Sequence, residues 1–467
     1  MKFNFVASRA SPEKKKMDPR LKAKTDLYIF AGYLLLGLAV LLNPFSLPFI
    51  QEKGFLPAFP EVHLYANDLR YILPILFDIF LVVIGGMIVW APKRLNYYLN
   101  DSLIFNLLIF GLLSLIMFSL NVVHPGKLIL LRIFFLLILL FFLTNSLYLG
   151  VVKEEASLKL HPFYRNLAVS VFGVILVLIL LEGVFMFHKQ THRFNGTLGS
   201  RAWFLSNWKL NAEGYRDTEY DSTDIKGKKK VMVLGDSFVA GHGVKDPEDR
   251  FSNRLQRLLP EDKYKVFNLG VGGSDVFDEN QRIREFPYQP DLLIISWYPN
   301  DIEDDGQKAG LTLQHARSYH DLWLPFRYVA RRSYLWNYVY WQFAHPDELS
   351  DYFGFIKQCF TFYMAKRAHF AQLERLTHYG DSLQIPMAAV VFPFLENMPG
   401  SDFATEPITG FFEGKGIPVL DVRSMAKDEA VEDLLVNQND PHPSEKLHEM
   451  VADSLFEMLE QNGLVEE

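Results

Sequence analysis

The chain has 467 residues, long enough for two or three domains, with 47 Lys/Arg against 54 Asp/Glu and a net charge of −7 at pH 7. That charge is unevenly spread: residues 1–190 hold 18 Lys/Arg against 11 Asp/Glu, and the remainder holds 29 against 43, which predicts a membrane part followed by a water-facing part. The acidic second half argues against a nucleic-acid partner, and the single cysteine, Cys359, excludes an internal disulfide and a multi-cysteine metal site.

After a basic leader, residues 1–26, five stretches are apolar and long enough to cross a hydrocarbon core of about 30 Å. They run over Leu27–Pro48, Tyr71–Trp90, Ser102–Val123, Leu128–Val152 and Asn166–Phe187, so residues 27–187 are expected to form an all-α transmembrane bundle. The first stretch follows a long polar leader and lacks a small-x-small cleavage pattern, unlike a removed signal peptide. Lys and Arg crowd the leader, which carries Lys14, Lys15, Lys16, Arg20, Lys22 and Lys24. They also mark the loops after the second and fourth stretches (Lys93, Arg94; Lys153, Lys159, Arg165). The positive-inside rule then places the amino terminus in the cytoplasm and everything after the fifth span outside it. The expected location is a cell membrane, in bacteria the inner one, with the second half periplasmic. Asp78, Arg132 and Glu182 fall at similar depth in their stretches, and an unpaired charge in lipid is costly, so Arg132 is expected to pair with one or both carboxylates.

Residues 188–229 read as a polar connector containing Asn211-Ala212-Glu213-Gly214-Tyr215-Arg216-Asp217 and the charged run Lys226 to Lys230. Beyond it, buried-looking strand patterns (Val231–Leu234, Tyr264–Leu269, Leu292–Trp297, Met387–Phe392, Val419–Val422) alternate with helical ones (Asp249–Leu259, Val276–Phe286, Ser444–Gln461). This alternation predicts a parallel, three-layer α/β domain over residues 230–467. Residues 305–385 form an aromatic-rich insertion, read as a packed helical excursion or as a cap that touches the membrane interface.

Four short blocks carry chemistry-bearing residues. Gly235-Asp236-Ser237-Phe238 closes the first strand, where open α/β sheets place their sites, though Asp and Gly also make ordinary turns. Asn268-Leu269-Gly270-Val271-Gly272-Gly273-Ser274 follows the second strand. Its glycines can bring backbone N–H groups close to a ligand, either a phosphate or an oxyanion, but neither a G-x-G-x-x-G nor a Walker sequence is present. Tyr298-Pro299-Asn300-Asp301 ends the third strand and offers an Asn donor, or simply a turn. Asn439-Asp440-Pro441-His442-Pro443 opens the last helix, with Pro443 at a capping position, and offers a general base beside a carboxylate.

In this order the four blocks resemble the SGNH (GDSL) hydrolase superfamily, over roughly residues 205–462. The resemblance implies a flavodoxin-like domain in which Ser237 is the nucleophile and its own N–H the first oxyanion donor. Gly273 and Asn300 would supply the other two donors, and His442 the base. The block at 211–217 also recurs ahead of the first strand in membrane-tethered members. Two departures stand out. The family's usual acid position, three before the His, holds Asn439, with Asp440 one residue nearer, and Tyr298 and Pro299 replace glycines. The implied function is a membrane-anchored serine esterase or O-acyltransferase acting on acyl esters of cell-envelope glycans or lipids, without cofactor or metal. A transferase would need a membrane partner to supply acyl groups. The alternative is a catalytically silent module in a polysaccharide-handling assembly.

Overall fold

The computed structural model describes residues 29, 32, 33, 36, 69–123, 129–152, 162–193, 197–313, 324–342 and 346–466. Contacts divide the chain into two compact units, one ending at Leu181 and the other running from Glu182 to the carboxyl terminus.

In the first unit, α1 (Leu69–Trp90), α2 (Pro92–Asp101), α3 (Leu103–Val123) and α4 (Ile129–Leu147) lead to α5 (Pro162–Phe187), which runs on into the second unit. Pro92 suits the first position of α2, where its missing N–H costs nothing. Deep among these apolar helices, Asn145 Nδ2 donates to Leu99 O (2.6 Å) and to Asn106 Oδ1 (2.8 Å). Asn106 in turn donates to Ser102 O (2.8 Å). Such inter-helix amide bonds hold apolar helices together where the hydrophobic effect does not discriminate between partners.

The five-span bundle is not carried by the described residues. One helical stretch, the 19-residue Val169–Phe187, is both long and apolar enough to cross a membrane. The others (Leu81–Trp90, Leu103–Met117, Phe135–Gly150) have 10–17 residues. The expected first span lies almost entirely outside the described residues, as does the side chain of Asp78.

The second unit is built on a five-stranded, wholly parallel sheet in the order β2-β1-β3-β4-β5. The strands are β1 (Lys229–Gly235), β2 (Tyr264–Gly270), β3 (Leu292–Trp297), β4 (Met387–Val391) and β5 (Val419–Asp421). Val231 to Leu234, all of β3 and all of β4 are buried, as expected for a sheet covered on both faces. Several of its helices begin on a side-chain cap. In the helix Val276–Glu285, Asp275 accepts from Asp278 N, with acids in the first turn and Arg282 and Arg284 in the last, matching the helix dipole. The labelled helices of this unit are α6 (Leu198–Asn207), α7 (Ser237–Ala240), α8 (Phe251–Leu258), α9 (Val276–Glu285), α10 (Tyr334–Gln342), α11 (Pro346–Thr361), α12 (Tyr363–Ser382), α13 (Asp402–Glu413) and α14 (Glu445–Gln461). The chain moves from β1 outward to β2, then back across β1 to β3. The sheet's switch point therefore lies between β1 and β3, where such folds open a crevice at the strands' carboxyl ends.

Residues between β3 and β4 are helical where described, with α10, α11 and α12 among them. Glu182, near the end of α5, is buried and accepts from Ser333 Oγ (2.5 Å), Tyr334 N (2.8 Å) and Leu335 N (3.1 Å), so it caps the first turn of α10. This carboxylate thus finds partners in backbone N–H groups at a helix start, a source that spacing within the apolar stretches does not show.

Candidate active site

Ser237 is the first residue of α7, directly after β1. Asp236 caps that short helix, its Oδ1 accepting from Phe238 N at 2.8 Å. The helix lies so close to β2 that a Cβ on Gly270 would stand 2.3 Å from Ala240 N, which makes Gly270 obligatory. Asn268 reinforces the contact by donating to Val239 O and Ser252 Oγ, both at 2.7 Å.

His442 reaches the serine from a strand that the sequence patterns did not show. It lies ahead of the last helix, as expected, but on β7 (Asp440–Pro443), which pairs antiparallel with β6 (Leu435–Asn437). Ser444, not Pro443, caps α14, accepting from Leu447 N at 3.2 Å. A two-strand ladder fixes the backbone on both sides of the imidazole, which a frayed helix start would not do. His442 Nε2 lies 2.9 Å from Ser237 Oγ, and His442 Nδ1 lies 2.5 Å from Asp440 Oδ1. Asp440 is fully buried. Burial alone would raise its carboxyl, but the charge and hydrogen bond of His442, with His242 behind, hold it below the ordinary carboxylate range. Asn439 instead shapes the turn: its N–H donates to Asn437 Oδ1 (2.9 Å) and its carbonyl accepts from Arg193 N (2.8 Å). Of the two acid positions left open by the sequence, Asp440 is the one that meets the imidazole.

The donors converge from three strand ends. As first residue of its helix, Ser237 has an N–H not used inside that helix. Gly273 adopts φ +76°, a conformation that favours glycine and turns the loop after β2 toward the pocket. Asn300, in the turn after β3, donates through Nδ2 to Asp236 Oδ2 at 3.0 Å. An amide nitrogen has two hydrogens; with one held by Asp236, the second is oriented for a ligand. Gly272 comes nearer: a Cβ there would lie 3.9 Å from Ser237 Cβ, whereas one on Gly273 would meet nothing within 4 Å. Ser237, His442, Gly272, Gly273 and Asn300 all line one pocket of about 430 Å³, whose outer wall is Arg193, Phe204, Trp208 and Leu210. A hollow of about 590 Å³ lined by Lys189, Trp203, Asn437 and Lys446 touches none of the predicted site residues.

Three residues at the site carry no role in the sequence reading. Asp236 joins Ser237 to Asn300, and burial raises its carboxyl against the hydrogen bonds of Phe238 N and Asn300. Arg216 is buried beneath the nucleophile loop. Its guanidinium donates to the carbonyls of Gly241 (2.6 Å) and Val244 (2.7 Å), and at 3.2 Å to those of Ala240 and Lys245. The 211–217 block is therefore a clamp on the loop after Ser237, and its spacing was the available signal. His242 packs face to face on His442, ring centroids 3.9 Å apart and 7° from parallel. Nothing in the sequence distinguishes that histidine from a surface one.

His242, Asp440 and His442 also bring three potential ligand atoms within 4.8 Å of one another. Because the two rings stack in near-parallel planes, their nitrogen lone pairs lie in separate planes, and one ion could not lie in both without a ring turning.

No family model matches the chain, and no curated protein matches it. It is similar to solved structures that are GDSL-type and related esterases, over about half of its length. One is a member of the lipolytic G-D-S-L family from Veillonella parvula, at 13% identity and a TM-score of 0.29, covering 49% of this chain and 97% of that one. Another is an acetylxylan esterase from Geobacillus stearothermophilus, at 16% identity and a TM-score of 0.31, covering 50% and 96%. A third is an alpha/beta hydrolase enzyme from the metagenome of Lake Arreo, Spain, at 14% identity and a TM-score of 0.29, covering 51% and 97%.

Proposed function

We propose that this chain is a serine acyl-ester hydrolase or O-acyltransferase, held at a membrane by α5 and acting on acyl esters of cell-envelope glycans or lipids. The observation that carries the reading is the unbroken line Ser237 Oγ, His442 Nε2, His442 Nδ1, Asp440 Oδ1, at 2.9 Å and 2.5 Å.

In this reading Ser237 Oγ attacks the ester carbonyl carbon while its proton passes to His442 Nε2. Asp440 holds the imidazole by Nδ1–H and stabilises the imidazolium. The carbonyl oxygen becomes an oxyanion facing Ser237 N–H, Gly273 N–H and Asn300 Nδ2. Collapse breaks the bond to the leaving alcohol, which takes the proton from His442 and leaves Ser237 acylated. A second nucleophile, water for an esterase or a sugar hydroxyl for a transferase, then gives its proton to His442 and adds to the acyl carbon; the bond to Ser237 Oγ breaks, and His442 returns the proton to Oγ.

The 19 apolar residues of Val169–Phe187 support the anchor, spanning about 28 Å. The basic leader and loops support a cytoplasmic amino terminus and a site outside the cytoplasm. A serine-directed fluorophosphonate is expected to label the full chain and to leave Ser237→Ala and His442→Ala unlabelled. A folded wild type that never labels would replace this reading with the silent binding module.

A further inference from the structure

We propose that His242 is a positioning residue for this reaction: a second imidazole that holds the outer oxygen of Asp440 and backs the ring of His442. The inference rests on the acyl-transfer reading above.

A carboxylate can accept on both oxygens. His442 Nδ1 occupies Asp440 Oδ1, and His242 Nε2 stands 3.4 Å from Asp440 Oδ2. Both of those second atoms are sealed from solvent, and neither completes an ordinary hydrogen bond. A small approach of the ring closes one. Fixing Oδ2 stops the carboxylate from rotating out of line with His442 Nδ1–H, so its charge stays aimed at the developing imidazolium.

The surroundings of His242 favour a neutral ring. Trp203 (6.4 Å between centroids), Phe204 (5.0 Å) and Trp208 (6.4 Å) enclose it, and the backbone N–H of His242 donates to Ser237 O at 3.0 Å, fixing the residue beside the nucleophile. The charged or titratable groups facing it are His442 and Asp440 from β7 and Arg216 from the clamp; the Thr191 hydroxyl also bears on Asp440. Burial, with His442 and Arg216 adding to it against Asp440, lowers His242 to about 3. An imidazole of such low basicity does not compete with His442 for the serine proton. It can present its aromatic face to the imidazolium that forms 3.9 Å away.

The test compares the full-length wild type with His242→Phe, which keeps a ring and removes the donor, and His242→Gln, which keeps a donor and removes the stack. The first readout is the rate of fluorophosphonate reaction at Ser237 as a function of pH. His242→Phe is expected to slow it about 10–100-fold, with kcat on an ester falling and KM little changed, and His242→Gln to recover part of the loss. The second readout needs no acyl chemistry. The far-downfield proton resonance of His442 Nδ1–H is expected in wild type and Ser237→Ala, and shifted or lost in His242→Phe. A folded His242→Phe with wild-type rate, pH profile and resonance overturns the proposal. An inert wild type whose resonance still depends on His242 would sink the hydrolase reading and leave the coupling standing.

Discussion

At Ser237 the decisive question is where one proton goes, and single side chains answer it. Asp440→Asn keeps the shape of the partner but favours the wrong imidazole tautomer. It is expected to slow acylation by on the order of 10³–10⁴, while Asn439→Ala, which touches the site only through backbone, leaves the rate nearly unchanged; single-turnover labelling of both variants separates the two acid positions. Asn300→Ala removes one oxyanion donor and also unties Asp236. A loss of about 10²–10³ in kcat is expected, and steady-state hydrolysis of a p-nitrophenyl ester measures it. Behind the site, Glu279 is fully buried with neither carboxylate oxygen bonded. Burial pushes its carboxyl well above the usual range, Arg282 only partly opposing, and nearby Asp236, Asp275, Asp278 and Asp301 push the same way. A raised acid retains its proton longer in the folded state than in the unfolded one, so it contributes stability at low pH that is lost as pH rises from about 4 toward the raised folded value. Glu279→Gln, permanently neutral, is therefore expected to raise the melting temperature at pH 7, with the gain fading toward pH 4. Equal gains at both pH values would contradict this account.

At the scale of elements, the site is held by segments that come before the sheet. The Arg216 guanidinium fastens the carbonyls of Ala240, Gly241, Val244 and Lys245 in the loop after Ser237, and Arg250 fastens Arg216 O and Asp217 in turn. Arg216→Met should leave each buried carbonyl without its donor at a cost of about 1–3 kcal/mol apiece. Thermal unfolding should fall accordingly, and labelling at Ser237 should slow in the molecules that remain folded. Glu182 does the same for the aromatic insertion by capping α10, aided by Phe185 against Tyr338 at 4.6 Å. Glu182→Ala should loosen the insertion, read as faster proteolysis between Arg331 and Gln342, with catalysis on a small soluble ester little affected. The Asn-x-x-Gly-x-Arg-Asp spacing marked its block as unusual before any fold was known. The cap was not legible, because donors from residues 333–335 lie some 150 positions from Glu182 and no periodicity links them.

For the whole molecule, the membrane reading is the part most open to test. The 19 residues of Val169–Phe187 are long and apolar enough for one crossing, whose proposed orientation rests on the loop charges. A reporter active only outside the cytoplasm, fused after Glu467, is expected to be active, and the full chain should resist extraction by alkaline carbonate. Activity confined to a cytoplasm-dependent reporter would reverse the orientation. The outer wall of the pocket at Trp208 and Leu210 comes from residues 188–229, which by sequence read only as a polar connector.

Sequence alone determined the alternation of strand and helix, since buried parallel strands must be continuously apolar, and its four short blocks brought forward Ser237, Gly273, Asn300 and His442 as candidates, which line one pocket. Local patterns could not decide between Asn439 and Asp440, place His442 on a strand, or distinguish His242 from a surface histidine. Those depend on which distant surfaces pack. A side chain's direction at the end of a strand is set by the ladder it joins, and β6 with β7 exists only once residues 433–444 have folded back over the sheet.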